Sequence, residues 1–593
     1  MRLLAIAAFV ALLGLAEARA FVLQYDPNGT PTHWDLLTPE AHVPAGAAVR
    51  VSTNSVNPLT RAVRFFISSD AYSKTNTTAE RNAVRAAFAQ WQAVPGTHVR
   101  FEDAGLVAPG IPLDETDDTN VVFWVNNGTL VPDDRIDIDG ALGVTFMSST
   151  AGILLGADIV MNGNYTWFTD FDFVPPPPPD GTRFRFVEEV VGHEIGHFIG
   201  IEHTPVGAAT MFARGGSGVS PQAGLSAEEV AAVQFLYPQA GVLAGKGRIQ
   251  GQATMNGAAL FGAAVIAEDS AGNVAAGTVS RPDGSYLMPA LPPGDYRVRL
   301  LPLDPAGLVS GPDIVYPDYA DVQTGFLPTA ELPVTVQAGE TRVLNAVVTA
   351  GNAPFHIQWL LKPSSSITVQ SRTSAAVAVR AGQSNLYLGV YSSDLPTTGA
   401  DLSITGDGLT VTSQAASSQF AGLRMAAVKV NVSSSATPGL RSFVVRRGGD
   451  IAIAVGFLEI QPVMPDFNFD GLDDRFQRRY FSPFTSADAA PGADPDGDGF
   501  DNRYEFLAGT NPIDAASIPR LAIDRITADP QGSSIAWRSV PGGRYQVLRR
   551  QGLGAGTSWQ AIGGVVTGTD FTTPFRDASA TNRFGFYRVQ VLR

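Results

Sequence analysis

The stretch VVGHEIGHFIGIEH, residues 190–203, decides how this chain is interpreted. It holds three of the 7 histidines in 593 residues, with a glutamate directly after the first. Residues four apart lie on one face of a helix, so His193 and His197 would present both imidazoles to the same side. Gly200 can end that helix with a positive φ and let His203 return to the same place. The spacing therefore predicts three ligands around one metal ion.

The chemistry of these residues favours a catalytic zinc ion. Three neutral imidazoles leave one position of a tetrahedral ion open for water, as a catalytic zinc site requires. Glu194 follows the first ligand and can act as the general base toward that water. Glu188 and Glu189, earlier on the same helix, are interpreted as surface residues. A chance cluster of histidines is the alternative, but a third histidine behind a glycine at this spacing argues against it.

Two further helices are predicted on either side of this one. Thr77 and Glu80 stand at capping-box spacing at the start of the first helix, and Ser226 and Glu229 repeat the device in the last. Strand-like runs separate the three helices. This mixture predicts an α+β domain.

The sequence HEIGHFIGIEH resembles the metzincin signature H-E-x-x-H-x-x-G-x-x-H, and it is most similar to the matrixins within that group. ATMFA places Met211 eight residues after the third histidine, where matrixins carry a methionine turn. The resemblance covers residues 61–240 and implies a mixed twisted sheet with three helices. It further implies a zinc endopeptidase with a polypeptide substrate, Gly200 as the turn glycine and Met211 as an apolar floor beneath the metal.

One departure from the matrixin pattern bears on the number of metals. Matrixins usually hold a second, structural zinc, but Val160 stands where one of its histidine ligands would be. No histidine lies between His98 and His193. A single, catalytic zinc is therefore expected.

ALGVTFMSS, residues 141–149, resembles the strand that edges the matrixin cleft. An extended peptide can add to such an edge through backbone hydrogen bonds. Gly143, Val144 and Thr145 are therefore the candidate substrate-binding residues. An ordinary strand of the sheet is the alternative, and both can hold.

Beyond residue 241 helical periodicity almost disappears, and short Val-, Ile- and Thr-rich runs alternate with turn residues. This texture is typical of β-sandwich modules. Residues 245–350 resemble the carboxypeptidase regulatory-like module, and residues 351–462 are predicted as a second sandwich of unknown role. Residues 517–593 are predicted as a small C-terminal β-domain. The modules are interpreted as spacers or as contacts to an extracellular surface or polysaccharide.

The acidic interlude of residues 463–516 carries oxygen ligands at the spacing of a calcium loop. Its candidate ligands are Asp494, Asp496, Asp498, Phe500 through its carbonyl, Asp501 and Glu505. An earlier run repeats the pattern less completely, with Asp466, Asn468, Asp470 and Asp473. Its twelfth position is Gln477, so a weaker site is expected. The segment resembles thrombospondin type-3 or dockerin-like calcium repeats; an acidic linker is the alternative.

Composition places the chain outside the cell. Residues 1–20 have an early arginine, a short apolar run and small residues before a cleavage point, as in a secretory signal. An uncleaved anchor is the alternative. An N-terminal extension, residues 21–60, would follow, and no later stretch suits a membrane span. The net charge of −15 argues against nucleic acid as a partner. With 0 cysteines, stability must come from apolar cores and bound ions.

Two functions of different kinds remain open at this stage. The first is a secreted zinc endopeptidase with accessory β-modules. The second is a cell-surface adhesion or carbohydrate-binding protein whose protease domain is vestigial. The complete set of three histidines and one glutamate favours the first, whereas the length of the β-modules keeps the second open.

Overall fold

A computed structural model describes the chain over these residues: 23–26, 29–37, 54–70, 72–73, 76–109, 117, 119–125, 138, 140–173, 184–216, 218–303, 325–366, 372–415, 419–420, 422–517, 523–539, 543–552, 554, 556–570, 572–580 and 585–592. The predicted secretory signal, residues 1–20, lies outside them, as does part of the predicted extension. Within the described residues, no helix has the length and apolar character that a membrane span needs.

The N-terminal part is a five-stranded sheet with three helices. Its elements are β1 (Val63–Ser68), α1 (Thr77–Gln92), β2 (Phe101–Val107), β3 (Val121–Val125), β4 (Gly143–Thr150), β5 (Ile153–Asn162), β6 (Thr166–Phe168), β7 (Phe184–Phe186), α2 (Val187–Phe198) and α3 (Ala227–Leu236). The strand order is β2-β1-β3-β5-β4, with four parallel strands and β4 antiparallel to β5. Among the described strands β4 is therefore an edge, as the sequence predicted.

Helix α1 packs against both the sheet and α2, the helix that carries His193 and His197. Phe88 stacks on Phe65 of β1 with ring centroids 3.9 Å apart, and it meets Phe198 of α2 edge-on. Trp91, fully buried, donates its indole N–H to the backbone oxygen of Gly192 at 2.8 Å. These contacts fix the position of α2 without any contribution from its histidines.

The two capping predictions have different outcomes. The box at the start of α3 is confirmed, because Ser226 and Glu229 cap each other's backbone. The box at α1 is wrong: Asn76 precedes the helix and no side chain caps it. Glu80 is buried instead, and its carboxylate accepts from the backbone N–H of Ser73 at 3.0 Å.

The remainder of the described chain is almost entirely strands, as the texture of the sequence predicted. The first two-sheet unit contains β8 (Gly247–Met255), β9 (Ala258–Ala259), β10 (Ala263–Asp269), β11 (Val274–Val279), β12 (Ser285–Leu291), β13 (Gly294–Pro302), β14 (Phe326–Leu327), β15 (Leu332–Val336), β16 (Thr341–Val343) and β17 (Ala346–Ala350). Its sheets run β11-β10-β13-β15 and β12-β8-β17-β14. We refer to this unit as the first sandwich.

A second two-sheet unit follows. It contains β18 (Trp359–Ser364), β19 (Arg372–Thr373), β20 (Val377–Arg380), β21 (Leu386–Ser392), β22 (Asp401–Ile404), β23 (Leu409–Ala415), β24 (Gln419–Phe420), β25 (Leu423–Val432), β26 (Gly439–Arg447) and β27 (Asp450–Gln461). Its sheets run β19-β18-β21-β25-β23 and β20-β27-β26-β22. We refer to this unit as the second sandwich.

The acidic segment and the C-terminal β-unit complete the described chain. They contain α4 (Asp474–Tyr480), α5 (Asn502–Ala508), β28 (Ile523–Asp529), β29 (Gly532–Arg538), β30 (Arg544–Arg550), β31 (Gln560–Thr567), β32 (Thr572–Asp577) and β33 (Phe586–Leu592). The strands form two three-stranded sheets, β28-β29-β32 and β31-β30-β33.

The apolar cores cross the predicted domain boundaries. One core joins the buried faces of α1, α2 and α3 to residues of the first sandwich such as Tyr286. Another joins Val206 and Phe212, which lie beyond the third histidine, to the interior of the second sandwich. Phe212 meets Phe457 of β27 at 5.3 Å, and the backbone N–H of Gly207 donates to Val455 at 2.9 Å. The two sandwiches therefore pack directly against the N-terminal part and are not separate domains joined to it only by linkers.

The acidic segment is also anchored to α2. Arg478 of α4 makes two 2.7 Å hydrogen bonds to the carboxylate of Glu188 on α2. The two side chains are only 11% and 5% exposed. The guanidinium also lies 3.7 Å from the ring centroid of Phe484. A paired, hydrogen-bonded charge of this kind is costly to break from one side.

We expect Arg478→Ala to destabilise the protein by about 3 kcal/mol or more, because Glu188 would remain buried without its cation. Arg479→Ala is the matched control, since that neighbouring arginine is exposed. Urea unfolding followed by tryptophan fluorescence would measure both variants. Equal urea midpoints for the two variants would show that the ion pair between Arg478 and Glu188 does not stabilise the fold.

Candidate metal centre and catalytic cleft

The helix α2 holds the first two histidines in place, because most of its surface is buried and the helix cannot easily shift. Val187, Val191 and Ile195 are fully buried in the core. His193 and His197 leave the helix one turn apart, and their ring centroids lie 4.9 Å apart. The two histidines are thus held on a helix whose other sides are packed.

Gly200 turns the chain back after the helix. Its φ is +97°, and its backbone N–H donates to the His197 carbonyl at 2.9 Å. A Cβ at this position would overlap the carbonyl oxygen of Thr32 in the N-terminal segment. Glycine is therefore required twice, for its backbone conformation and for this close approach. The sequence predicted the first reason and missed the second.

The three imidazoles converge on one point. The Nε2 atom of His203 lies 3.2 Å from Nε2 of His193 and 3.2 Å from Nε2 of His197. Tetrahedral zinc with its usual nitrogen distances needs ligand atoms roughly 3.4 Å apart. The donor set and its spacing therefore fit a zinc ion.

Backbone acceptors orient two of the rings. Nδ1 of His193 lies 2.7 Å from the Thr210 carbonyl, and Nδ1 of His197 lies 2.9 Å from the Ile201 carbonyl. A carbonyl can only accept, so each Nδ1 carries the proton and each Nε2 keeps its lone pair. Burial, with His197 nearby, lowers the pKa of His193 to about 3. The ring stays neutral at physiological pH, which is the form that binds metal.

Met211 packs against α2, the helix that carries the first two histidines. Its side chain is 1% exposed, and a Cβ on Gly196 of α2 would overlap its sulfur. The backbone N–H of Met211 donates to Glu229 of α3 at 3.0 Å, and its carbonyl accepts from Thr204 at 3.0 Å. The turn is therefore fixed from two directions.

Glu194 points into the cleft and is held by the edge strand. It is 3% exposed, and its Oε2 accepts from the hydroxyl of Thr145 on β4 at 2.8 Å. A Cβ on Gly143 would come 2.9 Å from this carboxylate, so the glycine leaves it room. Burial raises the pKa of Glu194, and His197 and the Thr145 hydroxyl oppose that rise.

The three candidate substrate-binding residues therefore have different surroundings. Gly143 and Thr145 adjoin Glu194, whereas Val144 packs against a small apolar cluster that contains Phe146 and Val160. The sequence proposed Thr145 for its backbone alone. Its side-chain contact with Glu194 was missed because the two residues are 49 positions apart.

The interpretation of Glu188 and Glu189 as surface residues is wrong. Both are 5% exposed. Glu188 faces Arg478, and Glu189 accepts from the backbone N–H of Ser220 at 3.0 Å. Burial raises the pKa of Glu189 to about 7. The acidic segment and the loop before α3 cover the side of α2 that the sequence left to solvent.

The cleft in front of the histidines has a volume of about 1330 Å³. Its lining is not confined to the N-terminal part. Tyr25 of the N-terminal segment, Arg281 and Pro282 of the first sandwich and Ser374 of the second sandwich also line it. No local sequence pattern predicts these residues, because each comes from a distant part of the chain.

The acidic segment gathers a second group of possible ligands. Carboxylate oxygens of Asp494, Asp496 and Asp498 all lie within 4.8 Å of one another. Glu505 is fully buried, and neither of its carboxylate oxygens has a hydrogen-bond partner among the described residues. Burial and the three aspartates raise the pKa of Glu505 to about 7.

The earlier loop also folds around its first aspartate, but its closing residue is neutral. Gln477 is fully buried and its Nε2 donates to Asp470 at 2.7 Å. The backbone N–H groups of Asp470 and Gly471 donate to the two oxygens of Asp466. The side-chain oxygens of Asn468 and Gln477 have no partner among the described residues.

Two further predicted calcium ligands act as helix caps. Asp501 accepts from the backbone N–H of Tyr504 at the start of α5, and Asp473 accepts from Arg475 at the start of α4, both at 2.8 Å. Each carboxylate thus satisfies a helix N-terminus. The spacing rule could not distinguish a cap from a ligand.

Residues 59–238 match the Matrixin family model, a peptidase family. This stretch is a matrixin-like domain of metallopeptidase type. The cluster of His193, His197 and His203 fits the zinc site that the family implies. No curated protein matches the chain.

Several solved bacterial structures share a limited likeness with the chain. The minor pilin GBS52 of Streptococcus agalactiae is 14% identical over 19% of this chain and 47% of that chain, with a TM-score of 0.13. The major pilin subunit BcpA of Bacillus cereus is 11% identical over 36% and 69%, with a TM-score of 0.14. The Bacillus anthracis TIE protein is 8% identical over 59% and 46%, with a TM-score of 0.13. The chain thus spans less than half of GBS52, and TM-scores this low lie below those of proteins that share a fold.

We expect the purified protein to retain one zinc per chain after dialysis. His197→Ala should lose it, because two imidazoles hold zinc poorly. Glu194→Gln should keep it, since the carboxylate is engaged by Thr145 and the three nitrogens are unchanged. Metal analysis of the three proteins measures this. Two zincs in the wild type, or zinc loss from Glu194→Gln, would contradict the ligand set.

Proposed function

We propose that the protein is a secreted zinc-dependent endopeptidase. The observation that carries this proposal is the convergence of three imidazole nitrogens beside a buried carboxylate, in a cleft edged by β4. The family match over residues 59–238 supports the same reaction class. Export rests on the signal-like residues 1–20 and on the sequence alone.

His193, His197 and His203 would hold the ion. When bound, zinc would polarise the scissile carbonyl and lower the pKa of the attacking water. The protein's own residues supply the remaining parts of the reaction. The outer edge of β4 would align an extended peptide through backbone hydrogen bonds. Glu194 would accept the proton of the water and later pass it to the leaving amine nitrogen.

Thr145 acts in this scheme as a positioning residue. Its hydroxyl lies 2.8 Å from Glu194 Oε2 and 2.9 Å from the Glu194 backbone carbonyl. One hydroxyl carries one proton, so it donates to either oxygen and restricts the carboxylate. The raised pKa of Glu194 suits a group that takes up a proton during the reaction.

The other function considered is adhesion with a vestigial protease domain. A protein of that kind would not need an intact catalytic geometry. All five signature residues are present, and the described contacts orient the two ring nitrogens and the base. The peptidase is therefore the function that these observations favour.

Cleavage of denatured casein by the full mature chain tests the proposal. Glu194→Gln should lower the rate by roughly a hundred- to ten-thousand-fold, the range of general-base catalysis, because an amide cannot take the proton. Chelation should abolish the activity, and added zinc should restore it. Glu340→Gln in the first sandwich is the matched control. No cleavage by the zinc-loaded wild type, or near wild-type cleavage by Glu194→Gln, would overturn the proposal.

We also propose that Asp494, Asp496, Asp498, the Phe500 carbonyl and Glu505 bind calcium. Glu505 supports this, because a fully buried carboxylate without a hydrogen-bond partner stands beside three aspartates. A buried carboxylate that faces three half-exposed or exposed aspartates is stabilised by a cation shared among them. The earlier loop around Asp470 would bind more weakly, since its closing residue is neutral.

Calcium should raise the melting temperature of the wild type, because a ligand that binds only the folded state stabilises it by mass action. Glu505→Gln should lose most of this shift, since it removes the buried charge and keeps the shape. Asp514→Asn is the control, as this aspartate is exposed and outside the loop. The melting temperatures of the wild type and the two variants are measured by thermal unfolding with calcium and with chelator. An undiminished shift in Glu505→Gln would show that the loop is not the site.

A further inference from the structure

One wall of the catalytic cleft comes from outside the matrixin-like residues 59–238. The turn between β11 and β12 of the first sandwich brings Ser280, Arg281 and Pro282 to the cleft. Tyr25 of the N-terminal segment lies in the same wall. Arg281 is the one charged side chain that the first sandwich contributes to this described lining.

The backbone of this turn is fixed. The Arg281 N–H donates to Ser285 at 2.9 Å, and its carbonyl accepts from Gly284 at 2.7 Å. Ser280 is fully buried, and its hydroxyl donates to the Leu260 carbonyl at 2.6 Å. The arginine therefore projects from a rigid hairpin, as a preorganised binding group should.

The guanidinium is held beside the loop that carries the third histidine. It lies 4.6 Å from the ring centroid of Tyr25, a cation–π contact. Leu23 pairs with Ile201, and the backbone N–H of Gln24 donates to the Gly200 carbonyl at 3.0 Å. The N-terminal segment thus ties Arg281 to the turn that positions His203.

The charge of Arg281 is not neutralised within the described protein. It takes part in none of the ion pairs of the described residues, and its side chain is half-buried. A guanidinium in this state can gain a carboxylate partner from a ligand. The position in the cleft makes the substrate the natural source of that carboxylate.

The direction of β4 indicates which part of a substrate would reach it. β4 begins at Gly143, beside Glu194, and ends at Thr150 near the N-terminal segment, where His33 pairs with Ile153. Antiparallel pairing is the more stable of the two strand pairings per residue, so a peptide added to the edge of β4 is taken to run antiparallel to it, with its scissile bond near Glu194. The residues before that bond would then extend along β4 toward Tyr25 and Arg281.

We propose that Arg281 binds an acidic side chain of the substrate on the amino-terminal side of the scissile bond. This inference rests on the proposed peptidase function and deepens it. The first sandwich then serves substrate selection, because the selecting charge belongs to that unit. Substrates with glutamate or aspartate at the matching position are bound more tightly than substrates with lysine there.

The test uses the full-length protein and peptides that differ only in one residue before the scissile bond: glutamate, glutamine or lysine, scanned along that side. In the wild type we expect kcat/KM to favour glutamate over lysine by roughly fivefold or more at one position, as for a partly exposed ion pair. Arg281→Glu should invert that ratio, and Arg281→Lys should retain part of it. Arg248→Glu, an exposed arginine on β8 of the same sandwich, should leave the ratio at the wild-type value.

Binding of the labelled peptides to Glu194→Gln protein, measured by fluorescence anisotropy, gives a second readout that needs no turnover. The same glutamate-to-lysine preference should appear there and be inverted when Arg281→Glu is added. Equal effects of Arg281→Glu on all three peptides would overturn the inference and assign Arg281 a purely structural contact with Tyr25. Absence of cleavage with the binding preference intact would instead refute the peptidase proposal and leave the Arg281 site standing.

Discussion

The left-handed turn at Gly200 is the constraint on which the metal centre depends. It ends α2, returns His203 to the first two histidines and accepts a hydrogen bond from Gln24 through its carbonyl. The carbonyl of Thr32 stands where any larger residue would place its Cβ. The end of α2, the turn that leads to His203 and the N-terminal segment are therefore joined by direct backbone contacts.

The second constraint lies between the third histidine and the methionine turn. Thr204 and Met211 close this short segment through a backbone hydrogen bond of 3.0 Å, and Gly207 and Ala208 pair with β27 of the second sandwich. The segment from Thr204 to Met211 is thus held by α3 on one side and by a β-module on the other. This packing explains why the core does not stop at the end of the matrixin-like stretch, and why the sandwiches are more than spacers.

Burial of the active-site helix has an electrostatic consequence. The two glutamates in its first turn cannot remain in the interior without partners, because a buried unpaired charge is costly. Glu188 is satisfied by Arg478 and by Gln90, whose Nε2 lies 3.1 Å away. Glu189 is satisfied by a backbone N–H of the loop before α3. The acidic segment is therefore coupled in structure to the helix that carries the histidines.

The sequence by itself determined the features that depend on residues within a turn or two of each other. Helical spacing placed His193 and His197 on one face, and the glycine predicted the turn that follows. The edge position of β4 and the all-β texture of the second half were also predictable, the first from the family resemblance and the second from residue type.

Only the tertiary structure decided which side chains from distant segments meet. Thr145 reaches Glu194 across 49 positions, and Arg478 reaches Glu188 across 290. The capping prediction at Glu80 failed for a local reason instead, because its carboxylate accepts from the backbone N–H of Ser73 in the loop just before α1 rather than from the first residues of the helix. Local spacing fixes the direction of a side chain from its own helix or turn. What that side chain contacts depends on how the modules pack, because burial and charge pairing are properties of the whole assembled core.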